Sequence, residues 1–163
     1  MEIRKIREND DLDAIGNIYA DSWKYAYKGI VPQEYLDTLS GSRWKEFLTN
    51  SNGDSIVVID NGKYIGTAAI SESRDEDMPG WGEINTIYLL PEYFGKGYSK
   101  PLFEYAINEL LKKGFKDIYL WVFDKNARAR GFYEKNGFQK TCDMTSSVII
   151  DEKLLVVKYI KHF

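Results

Sequence analysis

The sequence is poor in the residues that serve most nucleophilic, redox and metal chemistry. Its 163 residues include one His, His162, and one Cys, Cys142. A Ser-His-Asp or Cys-His site needs a firmly held imidazole. The only His is next to last, where chain ends tend to fray. A structural zinc site takes about four Cys or His ligands, so no metal is expected. One thiol excludes a disulfide within the chain. No apolar run approaches the roughly 20 residues of a membrane helix, so no membrane partner is expected. The start, Met1-Glu2-Ile3-Arg4-Lys5, lacks the apolar stretch of a signal peptide. With a single Cys, this points to the reducing cytoplasm. An excess of positive charge is also missing. Lys and Arg number 22 against 25 Asp and Glu, a net charge of −3, and a nucleic-acid binder is usually clearly basic. What remains available is carboxylates, phenols, backbone amides or a borrowed cofactor.

What is present suits a single domain over residues 1–163, a length that buries roughly 70% of the unfolded surface. Aromatics reach 15%, with 12 Tyr among them. Tyrosines in excess serve a core or line a cleft, having an apolar body and a polar tip.

Periodicity supplies the elements. Residues 2–6 fit a short strand. Leu12, Ile15, Ile18, Tyr19, Ser22 and Trp23 keep helical spacing within a helix from Asp10 to Tyr27, with Asn9, Asp10 and Asp11 as N-cap candidates. Gly29 breaks this helix, Pro32 opens a second, and Trp44, Phe47 and Leu48 mark another turn or two, ended by Asn52-Gly53. Ser55–Asp60 and Lys63–Ile70 are strand-like, and Asn61-Gly62 between them is a strong hairpin signal. Strands over Glu83–Leu89, Asp117–Phe123, Gln139–Ile150 and Leu154–Lys161 alternate with helices over Tyr98–Lys113 and Asn126–Lys135. The fold class is α/β (α+β), a mixed, mostly antiparallel sheet of about seven strands flanked by about four helices.

Between a strand and a helix lies Pro91-Glu-Tyr-Phe-Gly95-Lys-Gly97-Tyr-Ser-Lys100. Backbone N–H groups and a helix N-terminus make an anion site at such a junction. Gly95 and Gly97 allow positive φ, and Lys96 and Lys100 add charge. A phosphate-bearing ligand fits; so does a plain tight loop. No G-x-x-x-x-G-K-[ST] string exists, and Lys100 stands where a dinucleotide fingerprint needs a third Gly.

The segment from Glu83 to Ser99 resembles the acetyl-CoA motif of the GNAT superfamily of N-acetyltransferases. Asn126-Ala-Arg-Ala-Arg-Gly-Phe-Tyr-Glu-Lys-Asn-Gly-Phe138 resembles that family's N-x-x-A-x-x-F-Y-x-K-x-G-F signature at every fixed position. Ser22 to Leu36 is similar to a stretch common in small bacterial members, so the resemblance spans nearly the whole chain. Two positions depart from the usual [RQ]-x-x-G-x-[GA] loop: Phe94 stands for Arg or Gln, and Ser99 for Gly or Ala. Phe94 removes a side-chain contact to phosphate, whereas Ser99 adds a hydroxyl suited to capping. Pro101 falls in the first helical turn, where its missing N–H costs little.

The resemblance implies transfer of acetyl from acetyl-CoA to an amine, directly in a ternary complex. The acceptor would be a small primary amine, polyamine-like included, or a protein amine. It implies Glu83 as general base, directly or through a water, unless Glu83 is a solvent-facing strand-end residue. Trp121 occupies the alternative base position and cannot serve, which leaves Asp124 or another acid as fallback. Tyr133 is the candidate general acid, or else a packed aromatic; Phe132 is read as core. Asn126 serves as N-cap, pantetheine contact or both. Ile87, Tyr88 and Leu89 are expected along the pantetheine, and Phe94, Gly95, Lys96, Gly97, Tyr98, Ser99 and Lys100 at the pyrophosphate. Lys96 and Arg128 stand within reach of the adenosine end, with solvated charge the plainer reading of Arg128. Trp23 and Tyr27, one helical turn apart, are expected at the acceptor together with Glu83. The acidic loop Glu72–Asp77 either attracts a cation or is simply solvated. A monomer or homodimer is compatible with the sequence. A CoA-holding module without catalysis and a nucleotide-binding α/β protein are the alternatives.

Overall fold

The computed structural model describes residues 1–50 and 53–163, so Asn52 of the expected helix stop lies outside the described residues. The chain runs β1 (Glu2–Lys5), α1 (Leu12–Ala26), α2 (Gln33–Asp37), α3 (Ser42–Asn50), β2 (Asp54–Asp60), β3 (Lys63–Glu72) and β4 (Gly82–Leu89). It continues through α4 (Ser99–Lys112), β5 (Asp117–Phe123), α5 (Ala127–Lys135), β6 (Gln139–Ile149) and β7 (Glu152–His162). The strands form one seven-stranded sheet in the order β1-β2-β3-β4-β5-β7-β6. The described helices number five where about four are expected, because Gln33–Asp37 and Ser42–Asn50 both close into helices. None is long and apolar enough to cross a membrane.

Side chains of β2 feed both faces of the sheet. Ile56 and Val58 join Leu102, Phe103, Ala106 and Leu110 of α4, while Val57 joins Ile15 and Tyr19 of α1. Alternation of strand side chains produces this division, and burial on both faces explains an unbroken apolar run in a strand. Asp11 caps α1 by accepting from the Asp13 and Ala14 amides at 3.1 and 3.0 Å. Asp10 is drawn away to the Arg4 guanidinium and the Tyr64 hydroxyl. The hairpin turn at Asn61-Gly62 has φ of 48° and 76°, the paired positive values of a primed turn.

The sheet opens at one place. β4 and β5 are parallel neighbours and pair only at Gly82–Ile118 and Glu83–Tyr119. On the other side of β4 the register with β3 shifts between Ala69 and Ile70, which leaves Asn85 as an extra residue. A bulge bends its strand and increases the local twist. The bend falls where pairing with β5 ends, and the two strands diverge beyond it.

His162 is not a frayed terminus. It closes β7, with Nδ1 2.6 Å from an Asp117 carboxylate oxygen and its ring 5.2 Å from that of Trp81. The β6–β7 turn places Ile150 at φ 47°. A branched side chain there costs about 1–2 kcal/mol. Ile150→Asn is therefore expected to stabilise the protein by about 1 kcal/mol, because Asn tolerates this region. Urea denaturation reads the effect as a raised midpoint at unchanged slope; a lowered midpoint would show that the exposed isoleucine has a packing role outweighing the strain.

Candidate active site

A cavity of about 540 Å³ fills the gap between the diverging strands. β4 contributes Ile84 to Leu89, β5 contributes Trp121 to Phe123, and the end of α1 supplies Ser22, Tyr25 and Tyr27. Phe94, Gly95 and Ser99 of the glycine loop and Asn126, Arg128, Phe132 and Tyr133 of the α5 region complete the lining. Backbone groups of β4 beyond Glu83 have no ladder partner in β5. The Leu89 carbonyl already accepts from the Ser22 hydroxyl at 2.5 Å.

The glycine loop is shaped as its residues require. Gly95 and Gly97 have φ of 73° and 89°, and a Cβ on either would meet nothing within 4 Å. Glycine is thus required by conformation, and the space beside the loop is open. Ser99 does not cap α4 as expected: it is the first helical residue, and Tyr98 holds the cap position without a side-chain bond. The first-turn amides of Ser99 and Lys100 therefore lack a side-chain acceptor, while Pro101 offers none. Four expected loop contacts fall outside the cavity lining: Lys96, Gly97, Tyr98 and Lys100. The Tyr98 hydroxyl turns away to donate to Asp60 at 3.0 Å, Lys96 lies 5.6 Å from the Tyr93 ring centre, and Lys100 faces Glu104 at 3.7 Å.

Phe132 and Tyr133 both line the cavity, Tyr133 at 8% exposed and Phe132 half-buried, so the expectation of Phe132 as a core ring is corrected here. Both rings pack on Phe103, at 5.2 Å for Phe132 and 5.6 Å for Tyr133. The Tyr133 hydroxyl has no hydrogen-bond partner among the described residues yet is not sealed from solvent, so it meets the cavity. Burial, with a smaller push from Tyr88, raises this phenol above its ordinary range. Asn126 caps α5 through the Ala129 amide at 3.2 Å and lines the cavity as well.

Trp23 does not line the cavity. Its indole N–H donates to the Tyr88 hydroxyl at 3.0 Å, and its ring packs with Tyr27 at 4.7 Å over the cluster of Val31, Leu36 and Leu39. It supports Tyr88 and Tyr27 from behind. Tyr27 lies in the lining, and burial pushes its phenol up to about 12.

Glu83 is placed otherwise than expected. It lines a second depression with Arg74, Asp75, Asp77, Tyr119, Asp143 and Lys158, and among the described residues Trp121 alone lines both. Glu83 is 3% exposed, which excludes a solvent-facing strand end. Its Oε1 accepts from Arg74 Nη2 at 2.7 Å; its Oε2 accepts from Arg74 Nε, the Arg74 amide and the Tyr119 hydroxyl at 3.0, 3.2 and 3.0 Å. Burial pushes this carboxyl up, but the Arg74 bonds and charge outweigh it and hold it below the ordinary range. That arrangement is poor for a proton acceptor. The fallback, Asp124, lines neither hollow and is engaged by Arg130 and Lys140, each at 3.2 Å. The acidic loop is partly neutralised as well: Asp75 pairs with the buried Lys158 at 3.1 Å.

Sequence reasoning missed Ser22, Tyr25 and Phe123 in the lining. Ser22 carried a signal, being a polar residue at an apolar position of α1. Tyr25 lies outside the apolar stripe of that helix, 59% exposed, and had none.

Residues 12–138 match the model of the acetyltransferase (GNAT) family. A spermidine N(1)-acetyltransferase of Thermoplasma acidophilum is 31% identical over 94% of this chain and 96% of its own. A crystal structure of PaiA N-acetyltransferase from Thermoplasma acidophilum with coenzyme A superposes with a TM-score of 0.75 at 24% identity, covering 99% of this chain and 98% of that one. YncA from Salmonella typhimurium, solved with acetyl-CoA, gives 0.75 at 20% identity over 99% and 93%. The chain belongs to the GNAT family of acetyltransferases.

Proposed function

We propose that the protein transfers acetyl from acetyl-CoA to a primary amine of a cationic acceptor within one ternary complex. One observation carries this reading: the buried Tyr133 hydroxyl, unpartnered among the described residues, faces a cavity that the open glycine loop also lines. Its residues suit the cofactor: the loop leaves room beside Gly95, and the first-turn amides of α4, without a side-chain cap, are donors for an anion. Acetyl-CoA brings the activated thioester. Direct transfer fits a lining that contains neither Cys142 nor His162. Tyr133 holds a proton at its hydroxyl for the departing sulfur; the ammonium nitrogen gives up one proton before it attacks and a second on acylation, and the second restores Tyr133, so the count balances.

The acceptor would approach from the second depression, past Trp121. That surface sets the carboxylates of Asp75, Asp77, Glu83 and Asp143 against the cations of Arg74 and Lys158, a balance that suits a cationic amine. The relative named for spermidine supports the same class. Among the described residues no carboxylate lines the cavity itself, so the proton that the ammonium loses before attack leaves through water on the acidic side.

A CoA-release assay over an amine panel tests this. Release is expected with polyamines such as spermidine, exceeding that with neutral amines of similar size. CoA binding without turnover on any amine would favour a cofactor-holding module.

A further inference from the structure

The family's usual Arg or Gln is replaced by Phe94, yet the cavity is not without a guanidinium. Arg128 Cζ lies 4.1 Å from the centre of the Phe94 ring. The same ring meets Tyr25 edge-on at 5.2 Å, so it is held from two sides. Arg128 makes no hydrogen bond and no ion pair among the described residues, and both it and Phe94 line the cavity. It is exposed at the second residue of α5, whose first turn contains no acid. A cation at that end opposes the helix dipole. An aromatic shelf holds a guanidinium by its flat face and leaves its N–H edge free for an anion.

A guanidinium fixed by its face on the cavity lining, with its N–H edge unpaired among the described residues, suits an anionic ligand. We propose that Arg128, shelved on Phe94, binds a phosphate of coenzyme A and supplies the side-chain contact that position 94 has lost. The inference rests on the cavity holding CoA. The phosphate is either the pyrophosphate or the 3′-phosphate monoester.

Titration calorimetry with CoA and dephospho-CoA, which lacks the 3′-phosphate, separates the cases without recourse to turnover. Arg128→Ala is expected to weaken CoA binding about 10- to 100-fold, the worth of a charge-assisted hydrogen bond. Arg128→Lys should fall between the two, since it keeps charge but not the flat stack. Phe94→Arg in the Arg128→Ala background should restore affinity. A wild-type preference for CoA over dephospho-CoA that vanishes in Arg128→Ala assigns the 3′-phosphate; an equal loss for both ligands assigns the pyrophosphate. Wild-type protein that binds CoA alongside an Arg128→Ala variant that binds it equally well overturns the proposal. Wild-type protein that binds no CoA overturns the cofactor reading and this inference with it. Because Arg128 is exposed, its variants should melt like the wild type, so a binding loss is not a folding loss.

Discussion

Tyr133→Phe is expected to lower kcat by about 100- to 10,000-fold, the usual contribution of a positioned proton donor. The affinity for CoA and the melting temperature should stay near wild-type values. The change removes one oxygen that has no partner among the described residues, so no buried group is left unsatisfied. The packing on Phe103 at 5.6 Å remains available to phenylalanine. Burial raises this phenol, which keeps it protonated across the working range and also makes it a weaker acid than a thiol near 8.5. Proton donation to the sulfur is then uphill unless the proton leaving the amine replaces it, which ties Tyr133 to a ternary complex. Any alkaline limb of kcat set by Tyr133 must fall above the ordinary phenol value of about 10. Steady-state kinetics from pH 6 to 10 on both proteins measures this. An unchanged kcat in the variant would reduce Tyr133 to a packed aromatic.

How much of this could be read in advance depended on how local the cause was. The Asn61-Gly62 hairpin, the Asn126 cap and the positive φ of Gly95 are each set by one or two residues, and all three were legible. The cavity was not. It exists because Asn85 bulges out of register with β3, and nothing in the residue itself announces the bulge. The direction in which a side chain leaves the backbone was equally hidden. Tyr98 and Ser99 are neighbours in the loop, yet one donates to Asp60 and the other reaches the cavity. Trp23 looked like a ligand contact because it is aromatic and one turn from Tyr27, but the indole serves Tyr88 instead. Arg128 looked like surface because no local pattern links it to Phe94, thirty-four residues earlier. Such pairings depend on tertiary placement, which periodicity does not carry.

Glu83→Gln separates two roles that the sequence left joined. The Glu83 carboxylate is buried and accepts four bonds, three of them from Arg74. Glutamine keeps one acceptor oxygen and presents an NH2 group, which must face an Arg74 or Tyr119 donor. Breaking a buried pair costs about 3–5 kcal/mol. Because the Arg74 side chain is 66% exposed, solvent recovers part of that, leaving about 2 kcal/mol. For a chain of this size the melting temperature should fall by about 4–8 °C at pH 7. The sign with pH follows from a depressed carboxyl. Its stabilisation is complete above the unfolded value near 4.3 and is lost as pH falls through the lower folded value. The difference between wild type and variant should therefore narrow below about pH 4. Catalysis gives the second readout. A carboxylate saturated by Arg74 and held below its ordinary range suits an anchor for the 73–81 loop better than a base, and the expected kinetics follow from that reading. In folded Glu83→Gln at 20 °C, kcat should fall less than about tenfold, with the larger change in KM for the amine as Arg74 loses its tether. A loss of about 100-fold or more in kcat, with CoA affinity intact and the acid limb of the pH profile abolished, would instead restore Glu83 as the general base.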